Sequence, residues 1–265
     1  MIVDIHTHAF PDALAPRAIA ALSECSSVPA HTDGTCAGLT TSMRAAGIAR
    51  SAVMPIATKP SQVGSINRWA AEVNRQYPGL ICFGTLHPLQ DDLRAEIERI
   101  AGDGIVGVKF HPDYQEFFVD DPALLPMYRA LEEARLIVLF HAGVDIGLPP
   151  PVHCTPDRLA RVLDAVPEMT VIAAHMGGYQ CWGEVERHLV GRELFFDTSY
   201  SLADLGPDAM VSLMRAHGVE RVLFATDSPW TDQAQEVAGI RGLSLSEEQT
   251  AAVLGGNAMR LLGAM

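Results

Sequence analysis

The chain has 265 residues, of which 48% are hydrophobic, and its formal net charge is −13. This composition is sufficient for a sizeable core and argues against disorder, and the length is one at which α/β barrels form a single domain. The acidic balance, with only the two lysines Lys59 and Lys109, argues against a nucleic-acid-binding surface.

Three further features bear on location and partners. No apolar run reaches the ~18 residues of a membrane span, and the N-terminus lacks a basic leader followed by an apolar segment. The five cysteines are an odd number without CxxC spacing, which indicates free thiols in a reducing compartment. We therefore expect a cytoplasmic protein that acts on a small molecule and binds neither nucleic acid nor membrane.

Short apolar runs alternate with helical patterns along the whole chain. The predicted strands are residues 2–8, 50–56, 80–86, 105–112, 136–143, 170–178, 193–200 and 221–230. The predicted helices are residues 13–22, 39–46, 65–77, 93–101, 122–134, 184–190, 207–217, 246–254 and 257–262, with one more entered at Thr155 and Pro156. Residues 25–38 are rich in Ser, Pro and Gly and predict a long irregular loop.

Eight strands in α/β alternation, at about thirty residues per unit, predict a (β/α)₈ TIM barrel. Near-continuous apolar runs are typical of strands buried on both faces of a parallel sheet. A doubly wound open sheet is the alternative, but it would typically carry a Gly-rich turn after its first strand, where this chain has His6-Thr7-His8. No linker divides the chain, so we expect one domain over residues 1–265.

Polar residues that can bind metal ions follow the predicted strands. His6 and His8 end the first strand on one face, and two imidazoles at that spacing can reach one ion. The other strand-end residues are His87, Lys109, His111, His141, His175 and Asp227. The carboxyl ends of barrel strands meet at one rim, where active sites of this fold lie, so the pattern predicts a metal site there.

The same segments resemble the amidohydrolase superfamily, and more closely its amidohydrolase-related (amidohydrolase 2) branch, which includes aminocarboxymuconate-semialdehyde decarboxylase. The matching segments, in the family's order, are Asp4-Ile5-His6-Thr7-His8, Gly107-Val108-Lys109-Phe110-His111-Pro112, His141-Ala142-Gly143, His175-Met176-Gly177-Gly178 and Thr226-Asp227-Ser228-Pro229-Trp230. The resemblance also covers the closing Gly256-Asn257-Ala258-Met259-Arg260-Leu261-Leu262, and so nearly the whole chain. Homodimers are common among proteins that resemble this one, so a homodimer is a possible assembly.

By this resemblance, His6, His8, His141 and Asp227 would hold one divalent ion, most simply Zn²⁺, with a water completing the shell. Asp227 and His175 would be the catalytic acid–base pair. If two ions are bound, His175 and a carbamylated Lys109 would be further ligands. With one ion, the Lys109 amine is free to bind a substrate carboxylate as a point charge. His111 is a candidate substrate contact, and the other pocket candidates in the βα loops are Phe10, His153, Tyr179, Tyr200 and Trp230.

Two reactions remain open at this stage. The first expectation is hydrolysis, in which a metal-bound hydroxide attacks a C–N or C–O bond of an amide, lactam, lactone or ester. The alternative is metal-dependent nonoxidative decarboxylation of an aromatic or unsaturated carboxylic acid. The strand-end motifs contain no arginine to hold a carboxylate, which favours hydrolysis. A nuclease is disfavoured by the charge, and a non-enzymatic metal-binding role by the presence of all four ligands.

Overall fold

The computed structural model describes residues 1–263 and has eight parallel strand positions, numbered β1 to β8. They are Ile2–Thr7, Ile48–Val53, Leu80–Cys82 continued by Gly84–Thr85, Gly107–Phe110, Ile137–Phe140, Val171–Ala173, Phe195–Asp197 and Val222–Leu223. Their hydrogen-bonded order is their order in the chain, with one ladder from β1 to the first half of β3 and a second from the other half to β8.

Backbone hydrogen bonds join the two ladders at both ends. Phe83, between the halves of β3, donates its N–H to the carbonyl of Val53 over 2.9 Å. At the other junction the N–H of Ile5 donates to the carbonyl of Phe224 over 2.9 Å, and that of Asp227 to the carbonyl of His6 over 2.8 Å. The first and last strands are therefore neighbours, as the (β/α)₈ prediction requires, and that prediction is confirmed.

Helices follow the strands, and we number them α1 to α12. They are Ala15–Ser26, Cys36–Ala46, Val63–Gln76, Leu93–Gly102, Leu125–Glu133, Pro156–Ala165, Trp182–His188, Leu202–Leu205, Pro207–His217, Gln233–Arg241, Glu247–Ala251 and Asn257–Gly263. A π-helical turn, Ala252–Gly256, joins α11 to α12. Among residues 1–263 no helix is both long enough and apolar enough to cross a lipid bilayer.

The strands separate two apolar layers, which explains their continuous hydrophobic runs. In β5, Ile137 and Leu139 pack into the barrel interior, whereas Val138 and Phe140 pack against the surrounding helices. Alternating side chains of a strand point to opposite faces, so a strand buried on both faces must be apolar at every position. The polar candidate site residues therefore lie where the strands end.

The structure corrects several parts of the sequence-based assignment, among them the short helix α8, Leu202–Leu205, which was not predicted. Helix α1 continues to Ser26 and α2 begins at Cys36, so the predicted loop of residues 25–38 is shorter than expected. Thr35 caps α2, because its side chain accepts a hydrogen bond from the N–H of Gly38 over 2.9 Å. Helix α10, Gln233–Arg241, was not predicted, since its polar residues and Gly239 leave little apolar periodicity.

Candidate metal centre

Three of the four predicted ligands meet at the rim of the barrel. One side-chain atom each of His6, His8 and Asp227 lies within 4.8 Å of the others. Asp227 Oδ1 is 3.0 Å from His8 Nε2 and 3.5 Å from His6 Nε2. Asp227 has left-handed backbone geometry, with φ 65°, a strained conformation of the kind that clusters at functional sites.

The far sides of the two imidazoles show which nitrogen of each ring faces the centre. His6 Nδ1 is 2.9 Å from the carboxylate of Asp197, and His8 Nδ1 is 3.0 Å from the carbonyl oxygen of Met54. Both partners are acceptors, so each Nδ1 carries the proton and each Nε2 has its lone pair towards Asp227. A carboxylate or carbonyl behind the ring is the usual support of a metal-binding histidine.

This donor set fits a divalent ion. His8 Nε2 and Asp227 Oδ1 are both acceptors when the imidazole is neutral, and at 3.0 Å they need a proton or a cation between them. Ligands at ~2.0–2.1 Å from a tetrahedral ion are about 3.4 Å apart. The observed separations of 3.0 and 3.5 Å bracket that value. The distances between the three candidate ligand atoms therefore fit a bound metal ion.

The carboxylates of the cluster are ionised in spite of their burial. Burial raises the pKa of Asp227, but in the metal-free protein the contact with the His8 imidazole, which donates a hydrogen bond when it is protonated, and the positive charge that His6 and His8 can carry outweigh burial and hold the pKa well below its usual range. Burial likewise opposes ionisation of Asp197, and the charge and hydrogen bond of His6 lower its pKa to about 2. Asp227 is therefore suited to bind a cation and poorly suited to carry a proton at neutral pH.

Lys109 adds a positive charge beside these acceptors. Its Nζ lies 3.0 Å from His6 Nε2, and the side chain is only 1% exposed. Burial lowers its pKa to about 8, against the attraction of Asp197 and Asp227. An amine so placed is charged at neutral pH and loses its proton more easily than an exposed lysine. The structure thus places Lys109 next to the candidate ligands.

His141, the fourth predicted ligand, does not join the close group of three. Its Nδ1 is 3.1 Å from His175 Nε2, and His175 in turn places Nδ1 3.0 Å from the carbonyl oxygen of Ser199. His141 Nε2 is buried and has no hydrogen-bond partner among residues 1–263. Burial and the neighbouring His111 hold the pKa of His141 well below its usual value, so the ring is neutral and able to bind a metal.

A second group of potential ligands, His111, His141 and Asp145, lies next to the first. His111 Nε2 is 3.0 Å from Asp145 Oδ2, and the rings of His111 and His141 stack at 4.1 Å with only 13° between their planes. An imidazole binds an ion in the plane of its ring at ~2.0–2.1 Å, and two stacked parallel planes do not meet at such a point. The stacked arrangement is therefore not that of a second metal site.

One cavity of about 590 Å³ opens over the cluster. It is lined by the predicted site residues His6, His8, Phe10, Lys109, His111, His141, His175, Tyr179, Tyr200, Asp227 and Trp230. His153, which was also expected in the pocket, does not line it. Its Nδ1 is 2.8 Å from Asp113 Oδ1 and its ring packs 4.6 Å from that of Phe118, so the imidazole is held in the loop before α6.

The sequence-based reasoning missed several residues of this cavity. Tyr114 and Asp145 line it and lie in the loops directly after β4 and β5, where position alone was a usable signal. Ile66 and Trp69 also line it, but they lie on α3 at helical spacing, which is equally typical of core packing. No sequence signal distinguished these two.

A family model described as amidohydrolase (Amidohydro_2) matches residues 3–264. The chain belongs to this amidohydrolase family. The match confirms the resemblance found in the strand-end motifs, and the protein is accordingly an enzyme of this superfamily. Among curated proteins, none matches the sequence.

Solved structures with the same fold cover almost all of this amidohydrolase. An uncharacterised TIM-barrel protein from Bordetella bronchiseptica has a TM-score of 0.78 and 21% identity, over 99% of this chain and 98% of its own. The 2,6-dihydroxybenzoate decarboxylase from Rhizobium has a TM-score of 0.72 and 16% identity, over 99% of this chain and 98% of its own. The 5-carboxyvanillate decarboxylase from Novosphingobium aromaticivorans has a TM-score of 0.75 and 15% identity, over 99% of this chain and 96% of its own. That structure is complexed with manganese and a nitrobenzoic acid.

These comparisons overturn hydrolysis as the first expectation. The two named enzymes of known reaction described above are decarboxylases, which agrees with the alternative and not with cleavage of a C–N or C–O bond. The physical reason for the error is that the same histidines and aspartate serve either reaction, so the ligand motifs do not specify which bond breaks. The missing arginines were also weak evidence, because Lys109 can hold a carboxylate.

Proposed function

We propose that this amidohydrolase-family enzyme catalyses the nonoxidative decarboxylation of an aromatic or unsaturated carboxylic acid. The observation that carries the proposal is the buried Lys109, whose Nζ lies 3.0 Å from His6 Nε2 on the cavity wall. A charged amine at this point can pair with a substrate carboxylate as it enters a site that excludes water. The names of the similar decarboxylases support the same reading.

The proposed centre holds one divalent ion through His6, His8 and Asp227, with His141 as the fourth ligand after a change of its side-chain position. Imidazole and carboxylate donors suit zinc, and manganese is bound by one of the similar structures. When bound, the ion supplies a Lewis acid that polarises the oxygens of the substrate. Lys109 and the ligands together would orient the carboxylate, and the aromatic side chains of Tyr179, Tyr200 and Trp230 would flank its ring.

In the proposed reaction the bond between the carboxylate and the adjacent carbon breaks, CO₂ leaves, and the bonding electrons remain on that carbon. The carbon must then receive a proton. Asp227 is ionised and cannot supply it. We assign the donor role to His175 in its doubly protonated form: Nδ1–H is held 3.0 Å from the carbonyl oxygen of Ser199, and the proton on Nε2, which lies beside His141, is the one transferred to the carbon. The neutral imidazole that remains takes a proton back from water before the next turnover. Protonation by an oriented imidazole contributes typically ~10²–10⁴-fold to a rate.

The test is an assay of purified protein loaded with Zn²⁺ or Mn²⁺, in D₂O, with a panel of hydroxybenzoates that includes 2,6-dihydroxybenzoate. We expect CO₂ and a product with one deuterium on the carbon that carried the carboxylate. Lys109→Met should abolish turnover, and Lys109→Arg, which keeps the charge, should retain part of it. Hydrolysis of aryl esters or lactones with ¹⁸O uptake from water, and no CO₂ from any acid in the panel, would overturn the proposal. Elemental analysis of the same samples counts the ions per chain.

A further inference from the structure

The cavity over the metal centre has two chemically different walls. The strand ends supply the histidines, Lys109 and Asp227 described above. The second wall comes from α1 and the residues on either side of it, the residues between β2 and α3, and the first turns of α3. Its large apolar side chains are Leu14, Leu22, Val28, Ile56, Ile66 and Trp69.

The polar residues of this second wall are all neutral. They are Ser26, Thr58, Gln62 and Ser65. Within residues 1–263, Lys109 is the only lysine on the cavity lining, and no arginine lies on it. A charged group placed against the apolar wall would lose its hydration without gaining a counter-charge, which is strongly unfavourable. The cavity therefore accommodates one anionic group, at the strand ends, and disfavours a second.

The cavity is also larger than one carboxylated ring requires. Its volume of about 590 Å³ lies in the range of ~300–1,000 Å³ typical of pockets for drug-sized ligands. Such pockets bury most of the ligand surface against apolar side chains, with a few polar groups that fix its orientation. The space beside the apolar wall is thus available to a substituent on the substrate.

From these observations we propose that the substrate is a monocarboxylic acid with an extended apolar group, and that the wall formed by α1 and α3 selects it. The inference rests on the proposed decarboxylation at the strand-end site. The carboxylate pairs with Lys109 and the ligand cluster, and the apolar group packs on Leu22, Ile66 and Trp69. Acids with a second carboxylate on the remote side of the ring are excluded by the lack of a cation there.

The test measures binding, so that it does not depend on turnover. Three probes are titrated into the Mn²⁺-loaded protein by calorimetry: 2-hydroxybenzoate, the same acid with a hexyl chain at position 4, and the same acid with a second carboxylate there. We expect the hexyl compound to bind about 100-fold more tightly than the parent, from the methylene groups that it buries. The dicarboxylate should bind more weakly than the parent.

Two variants and a control test the wall itself. Ile66→Ala should reduce binding of the hexyl compound about 5-fold and lower the affinity for the parent acid by a smaller factor, because the hexyl chain makes more apolar contact with this side chain. Ile66→Arg should reverse the preference in favour of the dicarboxylate. Leu89→Arg adds the same charge at a residue that is 80% exposed and does not line the cavity, and it should change neither.

The outcomes separate this inference from the proposed function. Tight binding of the hexyl acid without CO₂ release from any probe would support the ligand class and refute decarboxylation. CO₂ release from 2-hydroxybenzoate with no gain in affinity from the hexyl chain would support decarboxylation and overturn the inference. Preferred binding of the dicarboxylate by the unmodified protein would overturn it as well.

Discussion

Buried carboxyl groups lie on both sides of β1, and their pKa values are shifted in opposite directions. At the barrel rim, Asp197 has a pKa lowered to about 2 and that of Asp227 is also well below its usual range. On the outer side of β1, burial raises the pKa of Asp4 to about 7, although Thr226 and Gln233 donate hydrogen bonds to it. Burial and the charge of Asp4 raise the pKa of Glu236 to about 7 as well.

Burial opposes ionisation in both regions, so the partners decide the difference. The rim carboxylates face imidazoles, which can carry positive charge, whereas Asp4 faces a hydroxyl, an amide and backbone N–H groups. A neutral donor offsets less of the desolvation cost of a carboxylate than a cation does. The rim is consequently suited to ionised carboxylates. Asp4 instead joins β1 to the residues after β8 and to α10 through its hydrogen bonds with Thr226 and Gln233.

The largest expected effect is on the rim. His8→Ala removes one of the three converging candidate ligands, so the protein should no longer bind the proposed metal ion and should lose the proposed decarboxylase activity, by more than ~10³-fold, while the barrel stays folded. Elemental analysis, circular dichroism and CO₂ release measure the three properties. His188→Ala, on the surface of α7, is the matched control. Full metal content and turnover in His8→Ala would show that the ligand assignment is wrong.

The second-largest effect is expected on stability, from replacement of Asp4 on the outer side of β1. Asp4 accepts hydrogen bonds from the backbone N–H groups of His6 and Thr226 and from the side chains of Thr226 and Gln233. Asp4→Ala leaves these buried donors without an acceptor and should lower the free energy of unfolding by about 3 kcal/mol. Asp4→Asn keeps one acceptor oxygen and should cost less. Equal urea midpoints for the two variants would contradict this account.

A smaller effect is expected from the support of His6. Asp197→Asn removes the carboxylate that holds His6 Nδ1 over 2.9 Å, and outer partners of this kind are worth about 10–100-fold in metal affinity. Competition with a chelator measures that affinity. Asp164→Asn, which breaks only an exposed ion pair with Arg192, serves as the control. Unchanged affinity in Asp197→Asn would mean that His6 is oriented by other contacts.

The smallest effect is a gain in stability with a defined pH dependence. The pKa of Glu236 is raised from its ordinary 4.5 to about 7, so between these values the folded protein holds a proton that the unfolded chain has released. Stability therefore falls as pH rises through this window, and the loss is complete above pH ~7.

Glu236→Gln removes that cost, so it should stabilise the protein by about 1–2 kcal/mol at pH 8 and by much less at pH 5. Urea unfolding at the two pH values measures the difference. Glu248→Gln, at an exposed residue of α11, should show no comparable gain. Equal stabilisation by Glu236→Gln at both pH values would exclude a titrating carboxyl as the cause.

The fold and the ligand candidates could be predicted because their signals are local. An apolar run identifies a buried strand, and a His-x-His at its end identifies two donors on one rim. The reaction could not be predicted from the ligands, since hydrolysis and decarboxylation use the same set. Helix α10 escaped prediction because its helical pattern is weak, and Trp69 because a cavity wall and a core stripe have the same sequence pattern.

The sequence by itself determined the eight βα units and the candidate metal ligands at the strand ends, because hydrophobic periodicity and residue chemistry are properties of short segments. Only the tertiary structure decided which imidazole nitrogen faces the centre, that His141 lies beside His175, and that Asp4 and Asp227 differ in pKa. These depend on partners far apart in the chain, such as His6 and Asp197, which are separated by 191 residues. Hydrogen bonds and desolvation act over a few ångströms of space, and no local pattern specifies them across such a distance.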